Sequence, residues 1–600
     1  MRVPGARGGR VARLALGVLS GLVLLAALIV DVPASSDGRF WSDAATYHSM
    51  AGSLAFDGDL EFSGVDLGRV RAAYPSGPQG VFLKRVPDGR GGMRLVYAKA
   101  ALYPALGAPF VRVLGADRGL VVFNALALVA ALWLGYGVLK RGAPPAPAAA
   151  GIVALLMLSV APVYLFWETP ELLHLGLAAV GLAAYRAGRH LLAAAVLGLL
   201  VYSKPTHLAL AIPLLAAPLL GPGLGMGPRV LDAARRGVAL AAFVLAGFGF
   251  GWLMTGELNY QGGERKTFYD HYPFDPGVSF DSAGVWMTTD HVGPLVAGRD
   301  AHDRPERVAP PRPAEELRRS FALNLGYFWA GRFGGLVPYF PGFCAAVLLF
   351  LVAGPRDRDG WLALAAVVVA WLGTILLIPD NWMGGAGTIG NRYWLGFLPL
   401  GMLLVPRGRG VAAAAIALPV AALVLTPVLG SPIHHSLRPG EHAAEPALRA
   451  LPAELTMLSD LPVFTDVWRK RRPYPGYFLW FLDDGTFGQE TSFGAEGFWL
   501  RGGARAEVVL QSLAPASRLR LRVTAGPAGD IVSARVGRDR KRLVLQPLRT
   551  DELVFDSPRP ALGYYGTTLY RLELGSRQGA ATETDTRPLG SFVVVAAAPG

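Results

Sequence analysis

The chain has 600 residues, 52% of them hydrophobic and only 17% charged, with 57 lysines and arginines against 44 aspartates and glutamates for a net charge of +13. That length exceeds one ordinary soluble core, and so little charge excludes an ordinary soluble protein in favour of a membrane class. A lone cysteine, Cys344, excludes an intramolecular disulfide, and without a basic-aromatic patch the positive charge does not indicate a nucleic-acid partner.

In chain order, Arg2, Arg7, Arg10 and Arg13 precede an apolar segment over 14–30. A cleaved signal peptide has the same outline, but Pro33-Ala34-Ser35-Ser36 is a poor cleavage site and many more apolar segments follow. The segment therefore reads as an uncleaved first span.

A spanning helix needs roughly 20 mostly apolar residues, and on that scale about eleven candidates emerge. They lie near 12–31, 119–139, 147–166, 170–185, 189–203, 206–221, 237–255, 336–353, 361–379, 393–406 and 410–429. Ser203-Lys204-Pro205-Thr206-His207 separates the pair over 189–221.

With the N-terminus inside, the short inner loops carry Lys140 and Arg141; Arg186 and Arg189; Arg229, Arg235 and Arg236; Arg356 and Arg358; Arg407 and Arg409. Every one is basic, as the positive-inside rule requires, so the net charge is largely a topology signal.

The same topology places 32–118, 256–335, the short loop 380–392 and everything after about 430 outside. Residues 95–114, broken by Pro104 and Pro109, read as an interfacial or re-entrant helix. From Phe498 the pattern alternates in short runs between Gly, Pro and Asp turns, which predicts an antiparallel β-sandwich over 498–600. The expected fold is an α-helical polytopic membrane protein over 1–430, an irregular linker over 431–497, and that sandwich outside the membrane.

The first outer loop opens with FWSDAATYHSMAGSLAFDGDLEF, residues 40–62. Ser42 is a good N-cap and Asp43 sits in the first turn of a short helix. Tyr47, Met50, Ala51 and Leu54 share one apolar face, and Gly58 ends the helix. Asp43 need do no more than complement the helix dipole. Asp57 and Asp59 read first as a turn; as a divalent-metal site they lack the further oxygen ligands Mg²⁺ or Mn²⁺ requires.

The pattern Asp43-x-x-x-Tyr47-x-x-x-Ala51-x-Ser53-Leu54, followed by Asp57-Gly58-Asp59-Leu60, resembles bacterial polytopic glycosyltransferases of the GT-C fold. These are relatives of the protein mannosyltransferases and of the aminoarabinose transferase of lipid A. Later segments agree in order: Tyr103-Pro104 with Asn124, then Gly331-Arg332-Phe333-Gly334-Gly335-Leu336-Val337-Pro338-Tyr339-Phe340-Pro341. Trp382-Met383-Gly384-Gly385 with Gly390-Asn391-Arg392-Tyr393 completes the set, and the resemblance covers about 10–430.

The resemblance implies a glycosyltransferase, inverting, that moves a sugar from a polyprenyl-phosphate donor to an envelope acceptor at the outer face of the bacterial inner membrane. The acceptor is a glycan, a lipid or a protein. No cofactor is implied; a divalent metal is possible but unsupported. Asp43 fits the general base. Arg392 is the first choice for the donor phosphate, because a guanidinium grips two phosphate oxygens in a fork; the competing reading is an interfacial arginine.

Lys204 lies between two apolar helices, where ionisable groups are usually functional or paired, and is a candidate to pair with a carboxylate or with the donor phosphate. Lys84 and Lys99 in the first loop are secondary phosphate candidates. Tyr47, Asn391, Tyr393, and the outer hairpin with Glu168, Glu171 and His174 are candidates for the sugar or acceptor pocket; the hairpin could equally be a solvated turn. Glu264, Arg265, Lys266, Tyr269, Asp270 and His271 form a polar cluster in loop 256–335, in which no residue stands out. In the last domain Trp499 either holds a glycan or sits in the core.

Two other functions compete. A transporter or flippase of lipid-linked glycans would place polar groups near the midplane and show repeats, and the sequence has neither pattern. An inactive envelope scaffold of the same fold is the third reading.

Overall fold

The computed structural model describes residues 4–38, 43–75, 77–78, 80–221, 225–269, 271–286, 298–299, 305–306, 312–353, 357–385, 387–465 and 476–599. Ser42, Asp270 and Arg356 lie outside the described residues. The chain forms two compact units, one of Met1–Met287 with Phe328–Leu437, the other of Thr288–Tyr327 with Arg438–Gly600.

Among the described residues, five helices of the first unit are long and apolar enough to cross a membrane: Gly8–Ile29, Ala116–Lys140, Met226–Thr255, Arg358–Leu377 and Gly410–Gly430. They carry exposed large apolar side chains such as Leu14, Val238, Leu245, Leu253 and Leu377. Such surfaces suit lipid and not water.

The other six expected spans are shorter or broken. Pro145–Leu156 is followed by a 3₁₀ turn over Ala161–Phe166. Glu171–Arg186 and His190–Ser203 have 16 and 14 residues. Lys204 is extended ahead of Pro205, and a 3₁₀ segment Pro205–Ala211 leads into the short helix Ile212–Leu219. Leu336–Tyr339 and Pro341–Ala353 are separate pieces, as are the 3₁₀ segment Arg392–Leu400 and Gly401–Leu404. Proline explains several of these breaks, because it removes a helical donor and pushes the preceding residue toward extended backbone.

Arg141, Arg186 and Arg358, all assigned to inner loops, lie near one another, and Arg229 and Arg236 line a cavity with Arg186 and Arg358. Arg141 donates to the Arg186 carbonyl at 2.6 Å, Arg186 pairs with Asp359 at 2.5 Å, and Arg358 donates to the Ala217 carbonyl at 3.1 Å. Glu171 and Arg186 bound one helix of 16 residues, about 24 Å long at 1.5 Å per residue.

The two long stretches expected to lie outside share a four-stranded antiparallel sheet, in the order Met93–Tyr97, Val81–Pro87, Arg265–Phe268, Val285–Trp286. Its register pairs Lys84 with Arg265 and Val81 with Phe268. The helix Ala44–Phe56 is buried over its first ten residues, so the single apolar face expected from its sequence is in fact apolar or satisfied all round. Thr46 Oγ1 fastens it to the sheet, accepting from Phe82 N at 3.0 Å. The helix ends where Gly58, at φ +78°, donates to the Ser53 carbonyl.

The second unit is β-rich. One sheet runs Thr550–Asp556, Ala516–Ala525, Leu589–Pro599, Ala495–Arg501, Thr486–Ser492; the other runs Asp539–Leu545, Asp530–Val536, Thr567–Ser576, Arg505–Ser512, Tyr477–Phe481, Phe464–Thr465. Leu519, Leu521, Phe555 and Val593 of the first share one buried core with Val508, Leu510, Val532 and Leu572 of the second. The strands begin before Phe498, at Phe464–Thr465 and Tyr477–Phe481, inside the stretch expected to be irregular. Trp499 is buried with Leu589 and Phe592, so it belongs to the core.

Candidate active site

Four elements of the first unit bring charged side chains to the start of the helix Ala44–Phe56. Asp43 is its N-cap residue, yet its carboxylate makes no cap hydrogen bond. Instead Asp43 Oδ2 lies 3.1 Å from Lys99 Nζ and 3.3 Å from Arg392 Nη2. Lys99 follows the strand Met93–Tyr97, and Arg392 opens the 3₁₀ segment Arg392–Leu400. Glu171, first residue of its helix, places Oε1 3.8 Å from Arg392 Nε.

Burial alone would raise the Asp43 pKa. Lys99 and Arg392 overcome it and hold the carboxyl well below the usual range. Burial also lowers Lys99 against the pull of Asp43. The pair is not sealed: 21% of the Asp43 side chain and 14% of Lys99 remain exposed, against 5% of Arg392. A ligand can therefore reach the carboxylate and the lysine directly.

Arg392 is only partly satisfied. Its Nε and Nη1, the Oε2 of Glu171 and the Nδ2 of Asn391 are buried without hydrogen-bond partners. Unmet buried donors on a guanidinium are unusual, and they mark where an anion would be welcomed. Gly384, at φ +112°, lies against this arginine; a Cβ there would meet its Cγ and Nε at 2.5 Å. Asn391 Oδ1 accepts from Trp394 N at 3.2 Å and so starts the 3₁₀ segment that aims Arg392. Lys204 Nζ sits over the Tyr393 ring, 2.9 Å from its centroid.

The remaining expected residues divide. Tyr47 is buried edge-on to Tyr103 at 5.6 Å. Glu168 is turned away from Asp43, accepting from Tyr74 OH at 3.2 Å and pairing with His48 Nδ1 at 2.5 Å. His174 Nε2 meets Ser203 Oγ at 2.8 Å and stands beside His207. Lys84 is committed elsewhere, to Glu257 at 2.9 Å and the Asn259 carbonyl at 2.8 Å. Asp57 is gripped by Arg69, and Asp59 accepts from Glu61 N. Among the described residues no group of three or more His, Cys, Asp or Glu is placed to hold a metal.

Sequence reasoning put Lys99 behind other groups, although the structure makes it the nearest cation to Asp43. A single lysine inside Val96-Tyr97-Ala98-Lys99-Ala100-Ala101-Leu102 was the available signal. In the sequence nothing distinguishes Arg265 from the other polar residues of its cluster. The shared sheet brings it to the Phe82 ring, 4.5 Å from the centroid, with Lys99 at 4.1 Å from the same ring. Asn124, part of the resemblance, donates to the Trp167 carbonyl at 2.5 Å and accepts from Tyr103 OH at 3.2 Å. It thereby pins the segment leading to Glu168 and Glu171.

No protein-family model matches the chain, and no curated protein does. Solved structures similar to it include ArnT from Cupriavidus metallidurans bound to undecaprenyl phosphate, at 14% identity and TM-score 0.37, covering 67% of this chain and 60% of that one. The apo state of the same protein gives 15% identity, TM-score 0.37 and the same coverage. Arabinosyltransferase EmbB from Mycobacterium smegmatis gives 12% identity and TM-score 0.32, covering 97% of this chain and 64% of that one. The chain thus spans under two thirds of the length of each.

Proposed function

We propose that the chain is a membrane glycosyltransferase that takes a sugar from a polyprenyl-phosphate donor, with Asp43 as general base. The observation that carries the reading is the partly open Asp43 carboxylate held between Lys99 and Arg392. An acid beside two cations is the equipment that a phosphate leaving group and a hydroxyl nucleophile both need.

In this reading the acceptor oxygen attacks the anomeric carbon while Asp43 takes its proton. The bond from that carbon to the phosphate oxygen breaks, and the lipid phosphate leaves with the bonding electrons. Attack opposite the leaving group inverts the anomeric centre. Arg392 has free N–H groups for the phosphate, and Lys99 is near enough to share it.

The two ion pairs add a control. While both cations hold Asp43, its carboxylate is a weak base. A donor phosphate competes for Lys99 and Arg392, and as they turn to it the basicity of Asp43 rises. The base is then strongest when donor is bound. Tyr47, Tyr393, Asn391 and Glu171 border this group and are proposed to shape the sugar and acceptor pocket; Lys204 supports Tyr393.

The topology is proposed from the same helix. Glu171 marks the site end and Arg186 the arginine-rich end, and positive-inside placement makes the latter cytoplasmic. The site then opens at the outer face of the bacterial inner membrane, where the multi-pass chain also exposes its C-terminal unit. We read that unit as a β-sandwich. The acceptor is a glycan, lipid or protein of the envelope.

The reading is tested with purified protein in liposomes, a panel of polyprenyl-phosphate sugars and an envelope extract. Sugar transfer supports it. Donor movement across the bilayer with no transfer would replace it by the flippase reading.

A further inference from the structure

The second unit carries a basic groove that the transfer reading does not use. The sheet that includes Asp539–Leu545, Asp530–Val536, Thr567–Ser576 and Arg505–Ser512 buries Val532, Ala534, Leu572, Leu574, Ala506 and Val508 on its core face. The opposite parity faces outward. In register across that outward face stand Arg542, Ser533, Gly575 and Arg505, and one row along stand Arg540, Arg535, Glu573 and Glu507.

In the second row Arg535 pairs with Glu573, and Arg571 pairs with Glu507, which leaves Arg540 of that row without an ion pair among the described residues. A groove of about 600 Å³ is lined there by Arg505, Arg540, Lys541, Arg542 and Arg577; it adjoins a larger one that shares Arg505 and Arg540, whose carboxylates Glu507, Glu573, Asp483 and Asp484 are paired with Arg571, Arg535 and Arg449. Lys541 is spent on the Val554 carbonyl. The four guanidiniums are exposed and make no ion pair or hydrogen bond among the described residues. Between them the floor is Ser533, Gly575, Gly503 and Ala504, small residues that let a ligand approach the strands.

Four unpaired arginines repel one another, and a fold tolerates them on one face at low cost only in water or against an anion. Arginine forks match phosphate and carboxylate geometry. No aromatic side chain lines the groove, and Trp499 is in the core, so no ring is offered for stacking a neutral sugar. Ile531 is the one large apolar residue in the lining, too little for insertion into a bilayer.

We propose that this groove binds an anionic glycan chain, one bearing phosphate or carboxylate groups along its length. The inference does not depend on the transfer reading, since it concerns binding by the second unit alone.

The test uses the full chain in phosphatidylcholine nanodiscs. Binding is measured to polygalacturonate, to poly(glycerol phosphate) and to neutral dextran, with phosphatidylglycerol vesicles as a fourth arm. The expected result is binding to at least one polyanion that weakens with added salt, none to dextran, and a loss of about tenfold or more in Arg540→Ala/Arg542→Ala, the effect of removing charged hydrogen bonds. Arg505→Ala, across the floor, should weaken binding in the same direction. The thermal midpoint checks that each variant is folded; these side chains are exposed and unpaired, so it should not move. Equal binding to dextran, unchanged polyanion binding in both variants, or a loss confined to phosphatidylglycerol vesicles would overturn the proposal.

Discussion

Lys99 Nζ stands 3.1 Å from Asp43 Oδ2, although they are 56 positions apart in the chain with two helices and two strands between them. The contact ties the end of a strand to the start of a helix. It also sets how basic the carboxylate can be. Lys99→Gln should therefore do two things in the proposed enzyme. It raises the Asp43 pKa, and it raises the donor KM by about tenfold, the worth of one charged hydrogen bond. Lys99→Arg should recover most of the donor affinity. Steady-state transfer at varied donor concentration checks both; an unchanged KM in Lys99→Gln would remove the lysine from phosphate binding.

Arg392 depends on its neighbour Gly384. A methyl group at that glycine would meet the guanidinium stem at 2.5 Å, on a backbone that side chains rarely adopt. Gly384→Ala should cost about 1–3 kcal/mol and shift Arg392 off Asp43. The expected outcome is a lower thermal midpoint together with weaker donor binding, whereas Gly385→Ala, with open space around it, should move donor binding less.

His48, on the helix Ala44–Phe56, forms a buried ion pair with Glu168. Burial works to lower the His48 pKa, but Glu168 raises it further, and the balance lies above 6.5. A folded-state pKa above the unfolded one means that the pair's stabilisation is complete below about pH 6.5. It is lost as the pH rises through the higher folded value. The thermal midpoint should thus fall on the alkaline side of neutrality. Glu168→Gln should lower it throughout and abolish that slope; a slope that persists in the variant would assign it to other groups.

In the second unit Asp530 accepts from Ile531 N, Arg577 N, Gln578 N, Ser576 Oγ and Ser591 Oγ, all within 3.0 Å. Asp530→Ala leaves several buried donors without partners. It should destabilise this unit by about 3 kcal/mol or more, read as a lower denaturation midpoint. A variant as stable as the parent would show that water replaces the carboxylate.

Asp43 and Arg392 were legible in the sequence because each sits in a short motif at the edge of an apolar run. Their meeting was not, since it joins residues 349 positions apart on separate elements. Lys84 and Lys99 show the limit. Both are lysines of the first outer loop, and only the fold shows that Lys84 is answered by Glu257 while Lys99 is left for Asp43.

The strands over Arg505–Ser512 to Leu589–Pro599 were visible from alternation. Tyr477–Phe481 was not, because it is buried at every position and does not alternate. Span counting by apolar length saw eleven segments, but proline and short 3₁₀ turns divide four of them into pieces that hydropathy alone joins, and two more are single short helices.

The measurement that tests the account most directly is sugar transfer in liposomes by the parent and by Asp43→Asn. Each is assayed with the same polyprenyl-phosphate sugars and envelope extract, and donor binding is measured alongside. The account predicts transfer by the parent, a fall of about a hundredfold or more in the variant, and donor binding that survives because Arg392 and Lys99 remain. Transfer by Asp43→Asn at the parent rate would contradict it.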